Sequence, residues 1–340
     1  MSKQQVSFFW FRRDLRLEDN VGLFHALKSK YTVIPLFIFD DAILDSLPYN
    51  DPRVGFIYEN LSKINTQLLK IESALLVKKG KTLAVWELLL TEFDIKEVFF
   101  NKDYEPYAIK RDSAICELLE TNNAIPFSFK DQVIFEEKEI TKADGLPYTV
   151  YTPFKNKWLE KYKSMAPVLE YDATDVFSNF HKCDFVFPSL EQIGFEKSPI
   201  KVKPHNLKFI ANYQDIRDFP ALDQTSYLSP HLRFGTVSIR KLVNWAFHKN
   251  DVFLSELIWR EFFMQILFSF PKVVTQNFKT AYDGIKWRNN EADFQRWCSG
   301  TTGYPMVDAG MRQLNETGYM HNRVRMVAAS FLCKHLLIQW

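Results

Sequence analysis

The sequence predicts a doubly wound α/β domain with a five-stranded parallel sheet, followed by an all-helical domain. Three observations carry that expectation. Over the first 135 residues, apolar runs of strand length alternate with amphipathic helical patterns. From about residue 205 the apolar period becomes helical and strand signals vanish. Between the two lies an irregular stretch holding Pro147, Pro153, Pro167, Pro188, Pro199 and Pro204.

The strand-like runs are VSFFWF (6–11), YTVIPLFIFD (31–40), SALLVKKG (73–80), EVFFNKD (97–103) and IPFSFKDQVIF (125–135). The helical patterns between them are NVGLFHALKSK, about 53–70, TLAVWELLLTEF and about 107–121. A near-continuous apolar strand has both faces buried, as in a parallel sheet covered by helices on both sides. No GxGxxG follows the first strand and no GxxxxGK(S/T) occurs anywhere, so a standard dinucleotide or NTPase site is not supported in this half. The expected domains are therefore 1–135, a connector over 136–204, and a helical domain over 205–340. A connector of that length runs over the surface or between domains.

The bulk properties narrow the class. A chain of 340 residues suggests about two domains. At 46% hydrophobic it can bury large cores. No apolar run approaches the roughly 18 residues of a membrane helix. The start, MSKQQVSFFWFRRD, lacks the shape of a signal peptide. A cytoplasmic chain with no membrane role is expected. Cys116, Cys183, Cys298 and Cys333 are scattered, with no CxxC and no His at ligand spacing. They read as reduced core thiols, and no metal site is expected.

Charge is uneven. Residues 1–125 carry 16 Lys+Arg against 18 Asp+Glu, and residues 126–204 carry 11 against 12. Residues 205–340 carry 16 against 11, with five of the eight tryptophans. Arginine with aromatic rings suits nucleic acid, because phosphates attract the charge and bases stack on the rings. A solvated basic face fits the same counts.

Four stretches could carry chemistry. In SELIWREFF (255–263), setting Glu256 at zero on a helical wheel puts Arg260 at about +40°, Phe263 at about −20° and Trp259 at about −60°. Two charges share a face with two large rings, while Glu261 and Gln265 fall on the opposite side. A pocket floor and an exposed Glu–Arg pair both remain open. HNRVRM (321–326) opens a long apolar helix expected to run through VAASFLCKHLLIQW. Asn322 and Met326 share a face, flanked by Arg323 and Arg325. Cations at a helix start oppose its dipole, and a bound phosphate would remove the conflict. TSYLSPHLRFG (225–235) offers the hydroxyls of Thr225, Ser226 and Ser229, which suit a pyrophosphate or a helix cap. GTTGYPMVDAGMRQL (300–314) reads as a loop feeding a helix.

In order and spacing these stretches resemble the DNA photolyase/cryptochrome family. WFRRDLRLEDN resembles its N-terminal signature. TPFKNKWL, RDFPALDQTSYLSPHLRFGTVS, ELIWREFF and TGYPMVDAGMRQLNETGYMHNRVRMVAASFLCKHLLIQW resemble its helical domain. The likeness is greatest to the class I enzymes that repair cyclobutane pyrimidine dimers. In relatives acting on (6-4) photoproducts a second His follows the one matching His321; here that position is Asn322, with Met326 one turn on.

The resemblance implies light-driven electron transfer from reduced FAD, held in the helical domain, to a dimer flipped out of the duplex. It implies that Trp259 stacks on the dimer and that Glu256 bonds the pyrimidine edge. Asn322 and Met326 would line the same cavity, and Phe263 would join the DNA-contacting set. Arg217 and Arg323 would hold phosphates. Tyr213, Thr225, Ser226, Tyr227, Leu228, Ser229, Phe253, Arg260 and Arg325 would lie at the cofactor, and Trp287 and Trp340 would form part of an electron relay. Damaged DNA is the implied partner of a monomer needing no protein partner.

Two departures from the family pattern stand out. The chain stops at Trp340, within the expected helix, so a C-terminally truncated protein that binds FAD poorly is expected. YEPYAIKRD (104–112) has Tyr107 and Ala108 where a folate antenna would need an Asn–Glu pair, so any second chromophore is unnamed. The other readings are a cryptochrome-type photoreceptor, an inactive truncated remnant, and a nucleotide-binding module like an electron-transfer flavoprotein.

Overall fold

A computed structural model describes residues 3–339. Its sheet has five parallel strands: β1 (Gln5–Phe11), β2 (Thr32–Asp40), β3 (Leu76–Gly80), β4 (Asp94–Asn101) and β5 (Ile125–Phe129), in the order β3-β2-β1-β4-β5. The helices between them are α1 (Val21–Leu27), α2 (Asp41–Leu44), α3 (Pro52–Leu69), α4 (Thr82–Glu92) and α5 (Pro106–Thr121). Alternation along β1 explains its unbroken apolar run. Phe9 and Phe11 enter one core with Leu23, Val33, Phe37 and Phe99. Phe8 and Trp10 enter the other with Ile34, Leu36, Trp86 and Val98. Each face is covered by helices, as a parallel sheet requires.

Five further helices bear on the site: α6 (Tyr151–Met165), α7 (Tyr213–Ile216), α8 (Leu228–Arg233), α9 (Ile239–Phe247) and α10 (Asp251–Ser269). Beyond them come α11 (Glu291–Ser299), α12 (Pro305–Thr317) and α13 (Asn322–Ser330). By packing, the chain forms two compact units, each made of two stretches. The first is Met1–Lys197 with Ser229–Pro271; the second is Ser198–Leu228 with Lys272–Trp340.

In the first unit, β1 and β4 meet where the winding reverses, the place at which open α/β sheets commonly receive ligands. Here the chain fills it. The Leu15 N–H donates to the Phe234 carbonyl at 3.0 Å. Gly235 has φ +63°, and a Cβ there would lie 2.2 Å from the Arg13 carbonyl oxygen, so only glycine fits. Arg16 and Asp19 of WFRRDLRLEDN enter a buried network. Arg16 holds Asp131 through both carboxylate oxygens at 2.8 Å. Arg240 of α9 reaches Asp131 at 2.9 Å and Asp19 at 3.1 Å. Burial works against the Asp131 carboxylate, but the two guanidiniums outweigh it and lower its pKa.

Several expectations need correction. β5 ends at Phe129, not at 135. The N–H groups of Ile134 and Phe135 leave the ladder and donate to the Glu261 carboxylate at 2.7 and 3.1 Å. The irregular connector contains a four-turn helix, α6, which buries Phe154, Trp158 and Tyr162 at a spacing of four. Proline density masked it, although Pro153 sits in the first turn, where the missing N–H is tolerated. The four cysteines are free but half-buried rather than in the core.

The helix expected to run to residue 340 ends at Ser330, passes through a π turn over Phe331–His335 and becomes irregular. Leu337 takes φ +52°, and its carbonyl accepts from Arg288 and Asn289 at 2.8 and 3.2 Å. In the second unit, α12 and α13 pack around Val307, Met311, Met320, Val324, Ala328 and Phe331. Gly310 permits that approach: a Cβ there would lie 2.3 Å from a Val324 methyl carbon. Asp308 ties down the preceding loop, accepting from Thr302 N, Thr302 Oγ1 and Gly303 N at 2.8, 2.6 and 2.9 Å.

Candidate functional site

The expected site residues fall in both units. The first unit holds Ser229, Phe253, Glu256, Trp259, Arg260 and Phe263. The second holds Tyr213, Arg217, Thr225, Ser226, Tyr227, Leu228, Trp287, Asn322, Arg323, Arg325 and Met326. Trp340 lies outside the described residues.

In the first unit, α10 starts cleanly because the Asn250 side chain accepts from Val252 N and Phe253 N. Phe253 is buried there, edge-on to Trp245 at 6.4 Å. Glu256 and Trp259 are half-buried and Phe263 is 60% exposed. The Trp259 ring lies parallel to Tyr151 at 3.5 Å between centroids and 9° between planes. Phe263 stacks on it more loosely, at 5.4 Å and 21°. One side of α10 therefore presents a ladder of rings beside an acid.

Arg260 does not join that ladder. Its guanidinium donates to the Gln132 carbonyl at 2.7 Å and the Leu232 carbonyl at 3.3 Å. Burial lowers its pKa to about 10, helped by the charge of Arg13. The structure gives it the work of holding backbone together. Glu261, on the opposite side of α10 from Glu256, is 2% exposed. It accepts from Ile134 N, Phe135 N and Trp158 Nε1, the last at 2.7 Å. Burial pushes its pKa up to about 7 against those hydrogen bonds. Gln265, one turn on, donates to the Phe135 carbonyl at 3.3 Å.

In the second unit, His321 caps α13, accepting from Arg323 N at 3.2 Å. Burial, aided by the Arg323 charge, lowers the pKa of its imidazole. Asn322 and Met326, four residues apart on α13, are both exposed. Arg323 Nε donates to Asp218 at 2.6 Å, and Arg217 Nε lies 3.5 Å from the same oxygen. The hydrogen bond from Arg323 lowers the Asp218 pKa. The two arginines expected to hold phosphates thus share one carboxylate, which relieves part of the conflict with the helix dipole. Asp218 stands next to Arg217 in the sequence, but its link to residue 323 has no local signal. Arg217 also lies over the Tyr213 ring at 5.3 Å. Arg325 is exposed, and its guanidinium reaches the Met320 carbonyl at 3.5 Å. Trp287 is half-buried in an irregular segment.

The Thr225–Leu228 segment is pinned at several points. Thr225 Oγ1 accepts from Tyr319 OH at 3.0 Å, and the Ser226 carbonyl accepts from Asn206 N at 2.8 Å. Tyr227 takes φ +52°, an uncommon backbone for a non-glycine residue. Its hydroxyl is held by Asp223, and by Lys203 at 2.9 Å. Within the second unit, the hydroxyls at 225 and 226 and the αL backbone turn at Tyr227 fit the donor set of a diphosphate. The residues present therefore fit a dinucleotide cofactor.

Comparison with known proteins gives the class first. Residues 7–174 match the DNA photolyase family, and residues 253–340 match the FAD binding domain of DNA photolyase. The deoxyribodipyrimidine photo-lyase of Halobacterium salinarum is 35% identical over 98% of this chain and 76% of its own length. A class III photolyase from Agrobacterium tumefaciens superposes with a TM-score of 0.83 at 31% identity, covering 100% of this chain and 75% of that one. A Sulfolobus tokodaii photolyase solved with two FAD molecules gives 0.79 at 32% identity, covering 99% and 76%. The chain belongs to the DNA photolyase family. It spans about three quarters of the relatives it matches.

Proposed function

We propose that this chain acts in light-driven repair of cyclobutane pyrimidine dimers in DNA, as a carbon–carbon lyase with FAD as its cofactor. One observation carries the reading: a photo-lyase relative 35% identical over 98% of the chain, so the likeness runs through both compact units. Reduced FAD, when bound, supplies the electron that opens the cyclobutane ring. The rest concerns what this chain's own residues do.

Trp259 and Phe263 offer flat faces to an extruded pyrimidine dimer, and base–aromatic stacking is worth ~1–3 kcal/mol per base. Glu256 accepts hydrogen bonds from the pyrimidine edge. Asn322 and Met326 complete the lesion-contacting set. Arg217 and Arg323 hold DNA phosphates, a role supported by their convergence on Asp218. Tyr213, Thr225, Ser226, Tyr227, Leu228, Ser229, Phe253, Arg260 and Arg325 form the proposed cofactor set, and Trp287 and Trp340 the electron relay. Arg260 would lie by the cofactor, with its Nη1 and Nη2 also holding the Gln132 and Leu232 carbonyls. Residues 1–135 would serve as antenna domain, 136–204 as connector and 205–340 as FAD and DNA domain. The chain would act as a cytoplasmic monomer without an obligate protein partner, and any second chromophore is unidentified. Among the described residues no helix is long and apolar enough to cross a membrane.

The test is photoreactivation. Chain supplied with reduced FAD is mixed with a dimer-containing oligonucleotide and given blue light. Restored pyrimidine absorbance in light and none in darkness is the expected result. A flavin-loaded chain that neither prefers the damaged strand nor reverses the lesion would overturn the reading.

A further inference from the structure

We infer that Tyr151, at the start of α6, is a positioning residue that sets the plane in which Trp259 meets the lesion. This rests on the reading that Trp259 stacks on the extruded dimer. The two rings lie 3.5 Å apart between centroids and 9° from parallel. The phenol is anchored on the helix that carries the tryptophan: Tyr151 OH donates to the Ser255 carbonyl at 2.8 Å, with Ser255 Oγ at 2.6 Å. Ser255 precedes Trp259 by one turn, so the ring and its anchor move together. Burial pushes the Tyr151 pKa up to about 12, with the Glu256 charge adding to it, so the hydroxyl stays a donor at neutral pH.

Phe262 closes the other approach, standing edge-on to Trp259 at 5.6 Å and to Tyr151 at 5.8 Å. Phe154, buried one turn along α6, tilts against Phe262 at 5.2 Å and fixes the start of that helix. Rotating the indole would break the parallel contact and strike Phe262. The connector helix, remote in sequence, thus sets the orientation of the stacking surface. Tyr151 touches no reacting atom in this scheme. It acts through Trp259.

The experiment measures affinity in the dark for one oligonucleotide with and without a dimer. Tyr151→Leu is expected to weaken dimer binding roughly tenfold, within the range of one lost stacking contact, and to leave undamaged DNA unaffected. Tyr151→Phe keeps the ring and is expected to retain most of the preference. In a Trp259→Ala background, Tyr151→Leu should cost nothing more, since coupled residues are not additive. Equal loss on both DNAs, an equal loss in the Trp259→Ala background, or no loss at all would overturn the inference. Where Tyr151→Leu does not fold, Tyr151→Met offers a flexible, unbranched filler without a flat ring and faces the same criteria. A wild-type chain with no preference for the dimer would sink the stacking reading itself, whatever the variants do.

Discussion

Two carboxylates, one in each unit, anchor helices that carry site residues, and they do so by opposite means. Glu261 is enclosed, 2% exposed, and answers three neutral donors. Asp218 is exposed and answers two guanidiniums. Burial raises the first pKa and a charged hydrogen bond lowers the second. The difference teaches that desolvation, more than partner count, decides what an acid contributes. Glu261 fixes architecture, whereas Asp218 tunes a surface.

The largest break in that contrast would come from Glu261→Ala. It leaves three buried N–H donors unpaired, at about 1–3 kcal/mol each. Loss of at least about 3 kcal/mol in urea unfolding is the expected result, and a loss under 1 kcal/mol would contradict the buried role. Next is pH. A carboxyl whose folded pKa lies near 7 and whose unfolded value is near 4.5 binds its proton more tightly when folded. Its contribution is full below about pH 4.5, declines as pH rises, and levels off above about 7. The difference in stability between wild type and Glu261→Gln should narrow by up to about 3 kcal/mol over that window. A flat difference would show that the hydrogen bonds keep the group ionised throughout.

Smaller effects belong to the exposed acid. Arg323→Ala should weaken binding to damaged and undamaged DNA alike and reduce the salt slope by about one. An unchanged slope would remove Arg323 from the phosphate set. Smallest of all, Asp218→Asn should leave the unfolding midpoint where it is and raise DNA affinity slightly at low salt, by freeing both guanidiniums for phosphate. A drop in affinity would mean instead that Asp218 is needed to hold them in place.

The sheet was legible because its signal is local: Phe8 and Trp10 against Phe9 and Phe11 is a period of two on one strand. The family was legible too, from the motifs that resemble it. Hidden from the sequence were partners distant along the chain. Glu261 gave no sign of its role on a wheel, because a wheel cannot show that Ile134, Phe135 and Trp158, over a hundred residues upstream, point their N–H groups at it. Arg260 looked like a companion of Glu256 for the same reason. The six prolines of residues 136–204 hid α6, although its Phe154, Trp158 and Tyr162 spacing was there to be counted.

The plugged crevice at the end of β1 has a practical consequence for anyone dissecting this molecule. Gly235 nests on Arg13, and Arg240 neutralises Asp19 and Asp131, so residues from beyond 228 close the sheet's own mouth. Excising the first two hundred residues as a stand-alone module would strip two buried acids of a shared counterion at the ends of the strands. Swaps between relatives are better cut to carry 229–271 along with the sheet than at the apparent end of the strands.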